Sequence, residues 1–139
     1  MSGDQIGSGQ GEEVNFPYPS MVVADGGGLR KNTGKNRLDL VPVEWTWALG
    51  DVMTQGSIKY APRNWERGMT WSTMVGCALR HTLKFMCGEK YDVETGCHHL
   101  GMAAWNLLAL MSYDLREIGT NDLGSQDISI LHRVHNRDE

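Results

Sequence analysis

The helical arrangement of this chain is decided by residues 70–117, which read TWSTMVGCALRHTLKFMCGEKYDVETGCHHLGMAAWNLLALMSYDLRE. In both halves of this stretch apolar residues recur three and four positions apart, which is the periodicity of an amphipathic helix. The segment between the halves, residues 89–96, is polar and dense in carboxylates. The stretch therefore predicts two helices that are neighbours along the chain and are joined by an acidic connector.

The first of these helices is predicted to begin at Thr70 or Ser72, whose hydroxyl can cap it, and to end at Cys87. The second is predicted from about Cys97 to Glu117, and a glycine follows each helix closely, as is common at helix ends. We expect the core-facing residues to be Val75, Ala78, Leu79, Thr82 and Met86 in the first helix and Leu100, Ala104, Leu107, Met111 and Leu115 in the second.

A third helix is predicted upstream, beginning at Pro42, because proline suits the first turn of a helix. It is predicted to end before residues 59–65, where Pro62 disfavours helical conformation at Ala61. Its apolar stripe is expected to be Trp45, Leu49, Val52, Met53 and Gly56. Downstream, residues 119–139 are mostly polar, and the alternation of Ile128, Ile130 and Val134 predicts a short strand.

The N-terminal residues 1–29 cannot form a regular helix, because seven of the seventeen glycines of the chain lie there. A long arm of this kind is either disordered or an oligomer contact, and its two apolar patches, residues 16–19 and 21–24, favour the contact. We therefore expect an arm over 1–29, a helical domain over 30–118 and a tail over 119–139. The predicted fold class is all-α, a small bundle of three main helices that is oligomeric, because three helices bury only a thin core.

Length and composition restrict the class of protein. The 139 residues suffice for one domain, and 40% hydrophobic with 22% charged residues is typical of a globular chain. No apolar run reaches the roughly 20 residues of a membrane span and no secretory signal is evident, so a cytoplasmic protein is predicted. A net charge of −4 argues against broad binding to nucleic acid and fits a divalent cation as partner.

The three cysteines form no CxxC pair, which indicates free thiols rather than disulfides. We interpret them as small apolar side chains of the core. The alternative is a zinc site built from Cys77, His81, Cys97 and His98, although their spacing is not that of a standard zinc motif.

Cations and aromatic residues occur together in two segments. Before the first predicted helix, Lys35 and Arg37 with Asp39 predict a phosphate contact, the alternative being a solvated loop. After that helix, a second segment combines cations that bind phosphate with rings that stack on a base: Lys59, Tyr60, Arg63, Asn64 and Trp65. The alternative for Tyr60 and Trp65 is packing in the core, which requires the same residue types.

The acidic connector is flanked by residues that can bind metals. Glu89, Asp92 and Glu94 repel one another unless a cation compensates them, and Mg²⁺ or Mn²⁺ prefers such oxygen ligands. Histidines at positions 81, 98 and 99 lie on either side of the connector, and Arg80 precedes the first of them. A metal site is therefore predicted here, the alternative being a solvated connector between helices.

Two further residues extend this cluster along the last helix. Asn106 follows His99 by seven residues, which is two turns along nearly the same face. A buried amide needs hydrogen-bond partners, so it can hold a ligand or link two helices. Asp114 lies eight residues further, and with the three histidines it offers an HD-type metal site as an alternative, although no His-Asp dipeptide occurs.

Taken in order, these motifs resemble a phage-encoded family, dATP/dGTP diphosphohydrolase, N-terminal domain, over about residues 30–116. The motifs that carry the resemblance are Gly34-Lys35, Arg37-Leu38-Asp39-Leu40, Lys59-Tyr60, Asn64-Trp65, Arg80-His81, Gly88-Glu89, Asp92, Glu94, Gly96, His99-Leu100 and Asn106. The family is grouped with MazG-like all-α nucleoside triphosphate pyrophosphohydrolases, so the resemblance implies a helical oligomer that uses Mg²⁺ or Mn²⁺. It also implies cleavage of purine deoxynucleoside triphosphates, dATP or dGTP, between the α and β phosphates, giving a monophosphate and pyrophosphate.

The chain departs from the metal motif of those relatives, which is ExxE on one helix and ExxD on the next. Residues 89–92 read ExxD, but no ExxE occurs. We expect Glu89, Asp92 and Glu94 to be the catalytic acids, with metal ligands drawn from Glu89, Asp92, His81, His99 and Asn106. Substrate binding is assigned to Lys35, Arg37, Asp39, Lys59, Tyr60, Arg63, Asn64, Trp65 and Arg80.

Two other classes of protein are compatible with these residues. One is a non-catalytic phage protein that binds or sequesters a nucleotide or a nucleotide-derived signal. Such a protein would use the same cations and aromatic residues but would not need the clustered carboxylates. A structural or interaction protein would use the charges only to solvate helix ends. The ordered series of motifs favours the enzyme, acting on a small-molecule nucleotide in the host cell cytoplasm.

Overall fold

The computed structural model of the protein describes residues 34–124 and 127–135. In those two ranges the regular structure is helical and no strand is present. The elements are the α-helices α1 (Val43–Lys59), α2 (Trp71–Met86), α3 (His99–Arg116) and α4 (Ser129–His135), and the 3₁₀ turns Leu38–Leu40 and Asn64–Arg67. The predicted all-α class is confirmed, while the arm over 1–29 lies outside the described residues.

Two units make up the chain, residues 1–41 and residues 42–139. The described part of the first unit holds the turn Leu38–Leu40 and an exposed ion pair between Arg37 and Asp39. The second unit holds α1 to α4. Among the helices that the structure describes, none has the length and apolar character needed to cross a membrane.

α2 and α3 form an antiparallel hairpin at the centre of the second unit. Met74, near the start of α2, packs with Tyr113, near the end of α3, and His81 contacts His99 at the opposite end of the pair. α1 packs along α3 rather than along α2. The hairpin therefore has one side turned toward α1 and one side that α1 leaves uncovered.

Residues beyond α3 hold the start of α2 in place. Asp122 accepts hydrogen bonds from the backbone N–H of Ser72, at 2.9 Å, and from the Ser72 hydroxyl. This contact replaces the hydroxyl cap predicted at Thr70 or Ser72, since the Thr70 side chain makes no capping bond. Gly68 and Gly119 pass one another closely here, both with positive φ, and a Cβ on Gly68 would lie 2.6 Å from the Gly119 nitrogen. Both positions therefore require glycine.

The core is small and lies where the hairpin meets the turn Asn64–Arg67. Met74, Ala109 and Tyr113 are its buried members. The Tyr113 hydroxyl donates a hydrogen bond of 2.6 Å to the backbone carbonyl of Trp65. Burial raises the pKa of Tyr113, so the phenol stays protonated and keeps donating at neutral pH.

The prediction of which face of α3 is buried is wrong. All five expected core residues are exposed: Leu100, Ala104, Leu107, Met111 and Leu115. The helix instead buries His99, Ala103, Asn106, Ala109 and Tyr113. This stripe is rotated by about 100° from the predicted one, which is the angle of one residue. Periodicity locates the most apolar stripe, whereas the stripe that is buried contains the small residues Ala103 and Ala109, which allow close helix packing. Gly101 likewise lets α3 approach Ala48 of α1.

The other predicted stripes are confirmed only in part. In α2, Ala78 is buried as predicted, whereas Leu79 and Met86 are exposed. No residue of α1 is buried, and Trp45, expected to face the core, is 62% exposed. The short strand predicted at residues 128–134 is wrong, because α4 forms there.

Candidate functional site

A cavity of about 960 Å³ opens between the hairpin, α1 and the loop that follows α1. Six residues predicted to bind substrate line it: Lys59, Tyr60, Arg63, Asn64, Trp65 and Arg80. Four residues predicted for metal binding or catalysis line it as well: His81, Asp92, Glu94 and Asn106. Its volume is that of a typical small-molecule site. The fold thus brings most of the predicted site residues to one place.

Three side chains beside the cavity form a hydrogen-bonded chain. His99 is fully buried at the start of α3, and its Nε2 lies 2.9 Å from Oε1 of Glu89 in the connector. Its Nδ1 lies 2.9 Å from Nδ1 of His81 in α2. Both nitrogens of the buried ring are therefore engaged, one by the connector and one by the neighbouring helix.

These partners determine which nitrogens carry hydrogen. A carboxylate only accepts, so Nε2 of His99 donates to Glu89 and Nδ1 of a neutral His99 accepts. His81 must then donate from its own Nδ1, which leaves its Nε2 as the unprotonated nitrogen available to the cavity. Burial lowers the pKa of His81 below its ordinary value, and repulsion from a protonated His99 would lower it further. The His81 ring is therefore neutral at pH 7.

Asp92 lies next to this chain in the connector. Its Oδ2 accepts hydrogen bonds from the backbone N–H of Thr95, at 3.0 Å, and from the Thr95 hydroxyl, at 2.8 Å. Burial by itself would raise the pKa of Asp92, but these hydrogen bonds lower it below its ordinary value. Backbone bonds of 2.8 Å from Asp92 to Cys97 and from Gly96 to Asp92 hold the turn. Asp92 is thus an ionised and immobilised carboxylate.

Glu89, Asp92 and His99 each present one ligand atom within 4.8 Å of the others. Across residues 34–124 and 127–135, no other group of three His, Cys, Asp or Glu side chains does so. Two carboxylates and an imidazole are donors that suit Mn²⁺ and, through the oxygens, Mg²⁺. His81 contacts this cluster through His99 but is not a member of it.

The two alternative metal sites are not assembled. The zinc candidates Cys77, His81, Cys97 and His98 form no ligand cluster within the described ranges. The three cysteines are free, and only Cys97 is buried, so the expectation of core thiols is confirmed for one of them. Asp114, required by the HD-type alternative, is exposed about four turns along α3 from His99.

Two cations of the cavity are paired with acids: Lys59 with Glu94, which is exposed, and Arg63 with Glu66, which is half-buried. Nζ of Lys59 lies 3.1 Å from Oε1 of Glu94, and this hydrogen bond raises the pKa of Lys59. Nη1 of Arg63 lies 3.2 Å from Oε1 of Glu66. Solvent-exposed pairs of this kind contribute little to stability. A phosphate could therefore replace either acid at small cost to the fold.

Trp65 belongs both to the core and to the cavity wall. Its ring stacks on Tyr113 with 6.1 Å between centroids and meets Trp105 edge-on at 6.3 Å. The guanidinium of Arg116 lies 5.4 Å from the ring centroid. The core packing that sequence analysis kept as an alternative is thus observed for Trp65, whereas Tyr60 is 62% exposed at the cavity.

Asn106 is buried in α3 and lines the cavity. Its Nδ2 donates a hydrogen bond of 2.8 Å to the backbone carbonyl of Met102, one turn earlier. Its Oδ1 has no hydrogen-bond partner in the part of the chain that the structure describes. Asn106 stands outside the cluster of Glu89, Asp92 and His99, so its role as a metal ligand stays a prediction.

Two features of the cavity were missed by sequence analysis. Ala61 and Arg63 both have positive φ, 128° and 61°, in a region that residues with side chains avoid. Both line the cavity, and strained residues of this kind concentrate at functional sites. Lys84 also lines it. Its position one helical turn after Arg80 was the signal that could have identified it.

Lys35, Arg37 and Asp39 belong to the first unit. Nε and Nη2 of Arg37 donate hydrogen bonds of 2.8 and 2.7 Å to the Asp39 carboxylate. This pairing raises the pKa of Arg37 and lowers that of Asp39. The assignment of these residues to phosphate binding stays a prediction.

Comparison with known proteins identifies the class to which this fold and site belong. Residues 25–123 match the family dATP/dGTP diphosphohydrolase, N-terminal, and the chain belongs to this family. The dATP/dGTP diphosphohydrolase of Salmonella phage PMBT28 is 31% identical over 81 residues, which are 58% of this chain and 28% of the relative. The chain thus spans less than a third of that relative's length. No solved structure matches it.

Proposed function

We propose that the chain hydrolyses purine deoxynucleoside triphosphates, dATP and dGTP, to the monophosphate and pyrophosphate with the help of a divalent metal. The observation that carries this proposal is the cavity, where cations and aromatic rings lie beside a cluster of two carboxylates and an imidazole. Family membership and the name of the phage relative support the choice of substrate. The proposed setting is the cytoplasm of a phage-infected cell.

The donor chemistry of the site fits the implied cation. Glu89, Asp92 and His99 would hold it, and Mn²⁺ accepts such mixed oxygen and nitrogen donors more readily than Mg²⁺ does. A divalent cation supplies positive charge that neutralises phosphate and makes a water molecule easier to deprotonate. Thr95 positions Asp92 by two hydrogen bonds, and His81 positions the ring of His99.

The imidazole pair links this cluster to the cavity. When Nε2 of His99 serves as a ligand it carries no hydrogen, so the shared bond must run from Nδ1 of His99 to Nδ1 of His81. His81 then carries its hydrogen on Nε2, where it can donate to a phosphate oxygen. Nitrogen NMR of the parent chain, recorded without metal and with saturating Zn²⁺ as a diamagnetic cation that binds imidazole, should show the hydrogen of His81 moving from Nδ1 to Nε2. An unchanged His81 tautomer at saturating Zn²⁺ would exclude His99 as a ligand.

Hydrolysis adds water across the bridge between the α and β phosphates. The water oxygen bonds to the α phosphorus, the bond to the bridging oxygen breaks, and pyrophosphate leaves with that oxygen. Glu94 lines the cavity outside the ligand cluster, and we assign it to accept the proton of the water. A triphosphate that binds Lys59 would release Glu94 from its ion pair and free the carboxylate.

Activity is tested by incubating the protein with each of the eight common nucleoside triphosphates and Mg²⁺ or Mn²⁺, followed by chromatography. We expect monophosphate and pyrophosphate from dATP and dGTP. Asp92→Asn should abolish turnover, whereas Asp114→Asn, at an exposed position of α3, should retain it. Absence of product from every triphosphate would refute hydrolysis.

Metal binding is tested by calorimetric titration of Mn²⁺ into the protein without nucleotide. The double variant Glu89→Gln and Asp92→Asn should bind Mn²⁺ far more weakly, because both oxygen donors lose their charge. Glu44→Gln, a matched change in α1, should bind as the parent does. Equal binding by the parent and the double variant would remove the cluster from the site.

Substrate recognition is tested with Lys59→Ala, Arg63→Ala and Trp65→Leu. Each of the two cations should contribute about ten- to a hundred-fold to nucleotide affinity, as charge-assisted contacts do, with little change in melting temperature. Trp65→Leu should lower the melting temperature, because the ring packs on Tyr113 and Trp105. Unchanged affinity in both alanine variants would show that this loop does not bind phosphate.

A second function is nucleotide binding without hydrolysis, by which the protein would sequester a nucleotide or a nucleotide-derived signal. The observation that favours it is the missing ExxE motif, because residues 89–92 read ExxD and no ExxE occurs in the given sequence. Calorimetry with dATP and dGTP distinguishes the two functions. Tight binding by a preparation that releases no product would establish the second one.

A further inference from the structure

Asn106 is a buried polar residue of α3 whose side-chain oxygen has no hydrogen-bond partner among the described residues. The side chain is 8% exposed and lines the cavity, and its Nδ2 donates to the Met102 carbonyl. In the part of the chain that the structure describes, every buried side-chain oxygen or nitrogen that is sealed from solvent has a hydrogen-bond partner. Oδ1 is therefore reachable, and the cavity is the open space that Asn106 lines.

The contact with Met102 fixes which way this amide points. If the amide were turned over, Oδ1 would face the Met102 carbonyl, and two acceptors would meet without a hydrogen between them. Nδ2 carries two hydrogens and the carbonyl takes one of them, so the amide offers a ligand an accepting oxygen with one donating hydrogen beside it. The bond stays within α3, so Asn106 does not link two helices.

The cavity is charged at one end and largely apolar at the other. Its lining residues on α2 are Arg80, His81 and Lys84 toward His99, and Thr73, Met74 and Cys77 toward Tyr113. Asn106 follows His99 by two turns, so it lies about 10 Å along α3 from the cluster of Glu89, Asp92 and His99. A nucleotide is charged at its phosphate end and flat at its base end. Its phosphates therefore fit the cluster, and its base fits the region of Asn106.

The side chains around Asn106 suit the faces of a purine ring. Met102 and Trp105 line the cavity from α3, and Met74 lines it from α2. Thioether and indole groups make favourable contacts with flat rings. The Trp105 N–H is directed at Sδ of Met53, 2.9 Å away. Asn106 therefore supplies the hydrogen bonding of the cavity wall that α3 contributes.

We propose that Asn106 recognises the base of the nucleotide and favours adenine over guanine. Oδ1 accepts a hydrogen from the 6-amino group of adenine, and the remaining hydrogen of Nδ2 is donated to N7. Guanine has two acceptors, O6 and N7, along the same edge, so Oδ1 would meet an acceptor instead of a donor. This assignment rests on the proposed function, because it takes the cavity as the nucleotide site.

The apolar surroundings favour adenine for a second reason. Guanine could offer Asn106 its N1–H and O6 instead, which also form a pair of donor and acceptor. Its 2-amino group would then lie beside methionine and tryptophan side chains without an acceptor, and an unpaired polar group in such a place weakens binding. Adenine has no 2-amino group, so it avoids this cost.

Distance separates this role from the predicted role of Asn106 as a metal ligand. The ligand atoms of Glu89, Asp92 and His99 lie within 4.8 Å of one another. The Asn106 backbone is about 10 Å further along α3, whereas a bond from an oxygen to Mg²⁺ is about 2 Å long. The amide therefore acts at the base end of the cavity, and its removal should leave Mn²⁺ binding unchanged.

The first test uses only the parent chain and does not depend on any variant folding. The probes are the α,β-methylene analogues of dATP and dGTP, which cannot be cleaved at that bridge, titrated calorimetrically with Mg²⁺ present. The dATP analogue should bind about five- to a hundred-fold more tightly, as expected for one bidentate pair. Removing the 6-amino group, or replacing N7 by carbon, should each weaken binding about two- to ten-fold. Equal affinity for the two analogues, or no effect of either edit, would overturn the proposal.

The second test compares the parent with Asn106→Leu. Leucine has a similar volume and no amide, so the ratio of the two affinities should fall to about one, and the edits to adenine should lose their effect. Asn121→Leu, at an exposed position after α3, is the matched control and should keep the parent's ratio. A preserved ratio in Asn106→Leu, a lost ratio in Asn121→Leu, or weaker Mn²⁺ binding in Asn106→Leu would each contradict the assignment.

Failure of this assignment and failure of the proposed function are distinguishable. A chain that prefers the adenine analogue but releases no product from dATP supports the assignment and refutes hydrolysis. Hydrolysis of dATP and dGTP together with equal affinity for their analogues overturns the assignment and leaves the proposed function intact. Absence of binding to both analogues overturns the assignment.

Discussion

The two sides of the α2–α3 hairpin show opposite distributions of polar and apolar residues. The cavity side buries the polar residues Asp92 and Asn106, with His99 beside them. The side that we call the outer face lines no part of the cavity and exposes leucine and methionine, namely Leu79, Leu83, Met86, Leu107 and Met111. Buried polar groups lower stability unless they are hydrogen-bonded, and exposed apolar groups forgo the stabilisation that burial provides. The contrast indicates that the cavity side is built around polar chemistry.

The largest effect is expected from His99→Ala, which removes a fully buried ring and both of its hydrogen bonds. The free energy of unfolding should fall by about 2–4 kcal/mol, because a cavity forms and His81 and Glu89 lose their partner. Urea denaturation measures this loss. His132→Ala, at an exposed position in α4, is the control and should be neutral; similar losses in both variants would contradict the role of His99.

A smaller loss is expected from Tyr113→Phe, which removes only a hydroxyl. The carbonyl of Trp65 would lose its 2.6 Å hydrogen bond in the core, at a cost of about 1–2 kcal/mol. Tyr91→Phe, at a position that is 56% exposed, should cost much less. If the two variants denature at the same urea concentration, the buried hydroxyl adds nothing to stability.

Asp122→Ala should lower the melting temperature by only a few degrees, because Asp122 caps an exposed helix start. The Ser72 hydrogen bonds lower the pKa of Asp122 below 3.8. Its contribution is therefore complete above that ordinary value and is lost as the pH falls through the lowered pKa. Melting curves of parent and variant should converge in acid, and a difference that persists at the lowest pH would argue against the cap.

The smallest effect is expected from Leu79→Ser on the outer face. Leu79 is 58% exposed, so the free energy of unfolding should change by less than about 0.5 kcal/mol. Met74→Ala, on the buried side of the same helix, should cost at least about four times as much, because it leaves a cavity in the core. Urea denaturation of both variants measures the difference, and a large loss for Leu79→Ser would erase the contrast between the two faces.

The sequence predicted the helices α1, α2 and α3, but it did not predict which face of α3 is buried. The middle of α3 is apolar nearly all the way round, from Met102 to Met111. Periodicity therefore selected the side with the most leucine, and the structure buries the side with alanine, Asn106 and Tyr113. The sequence also failed to predict α4, which forms where a strand was expected.

The candidate site was predictable as a set of residues and not as an arrangement. Glu89, Asp92 and His99 stood out because acids and histidine are close together within residues 89–99. Their arrangement in space depends on the turn of the connector and on the packing of α2 on α3. In the connector Thr95 hydrogen-bonds Asp92, and between the helices His81 hydrogen-bonds His99. No pattern in the sequence encodes those two contacts.

By itself the sequence determined where α1, α2 and α3 form and end, which segments are rich in charge, and that the class is all-α. These properties depend on neighbours within a few positions, through backbone conformation, glycine and proline placement, and apolar periodicity. Only the tertiary structure decided which faces are buried and which side chains meet. The contacts that do so join Tyr113 to Trp65 and Asp122 to Ser72, pairs separated by 48 and 50 positions. Such contacts exist only after the helices have packed, because they depend on the relative placement of elements that local interactions leave free.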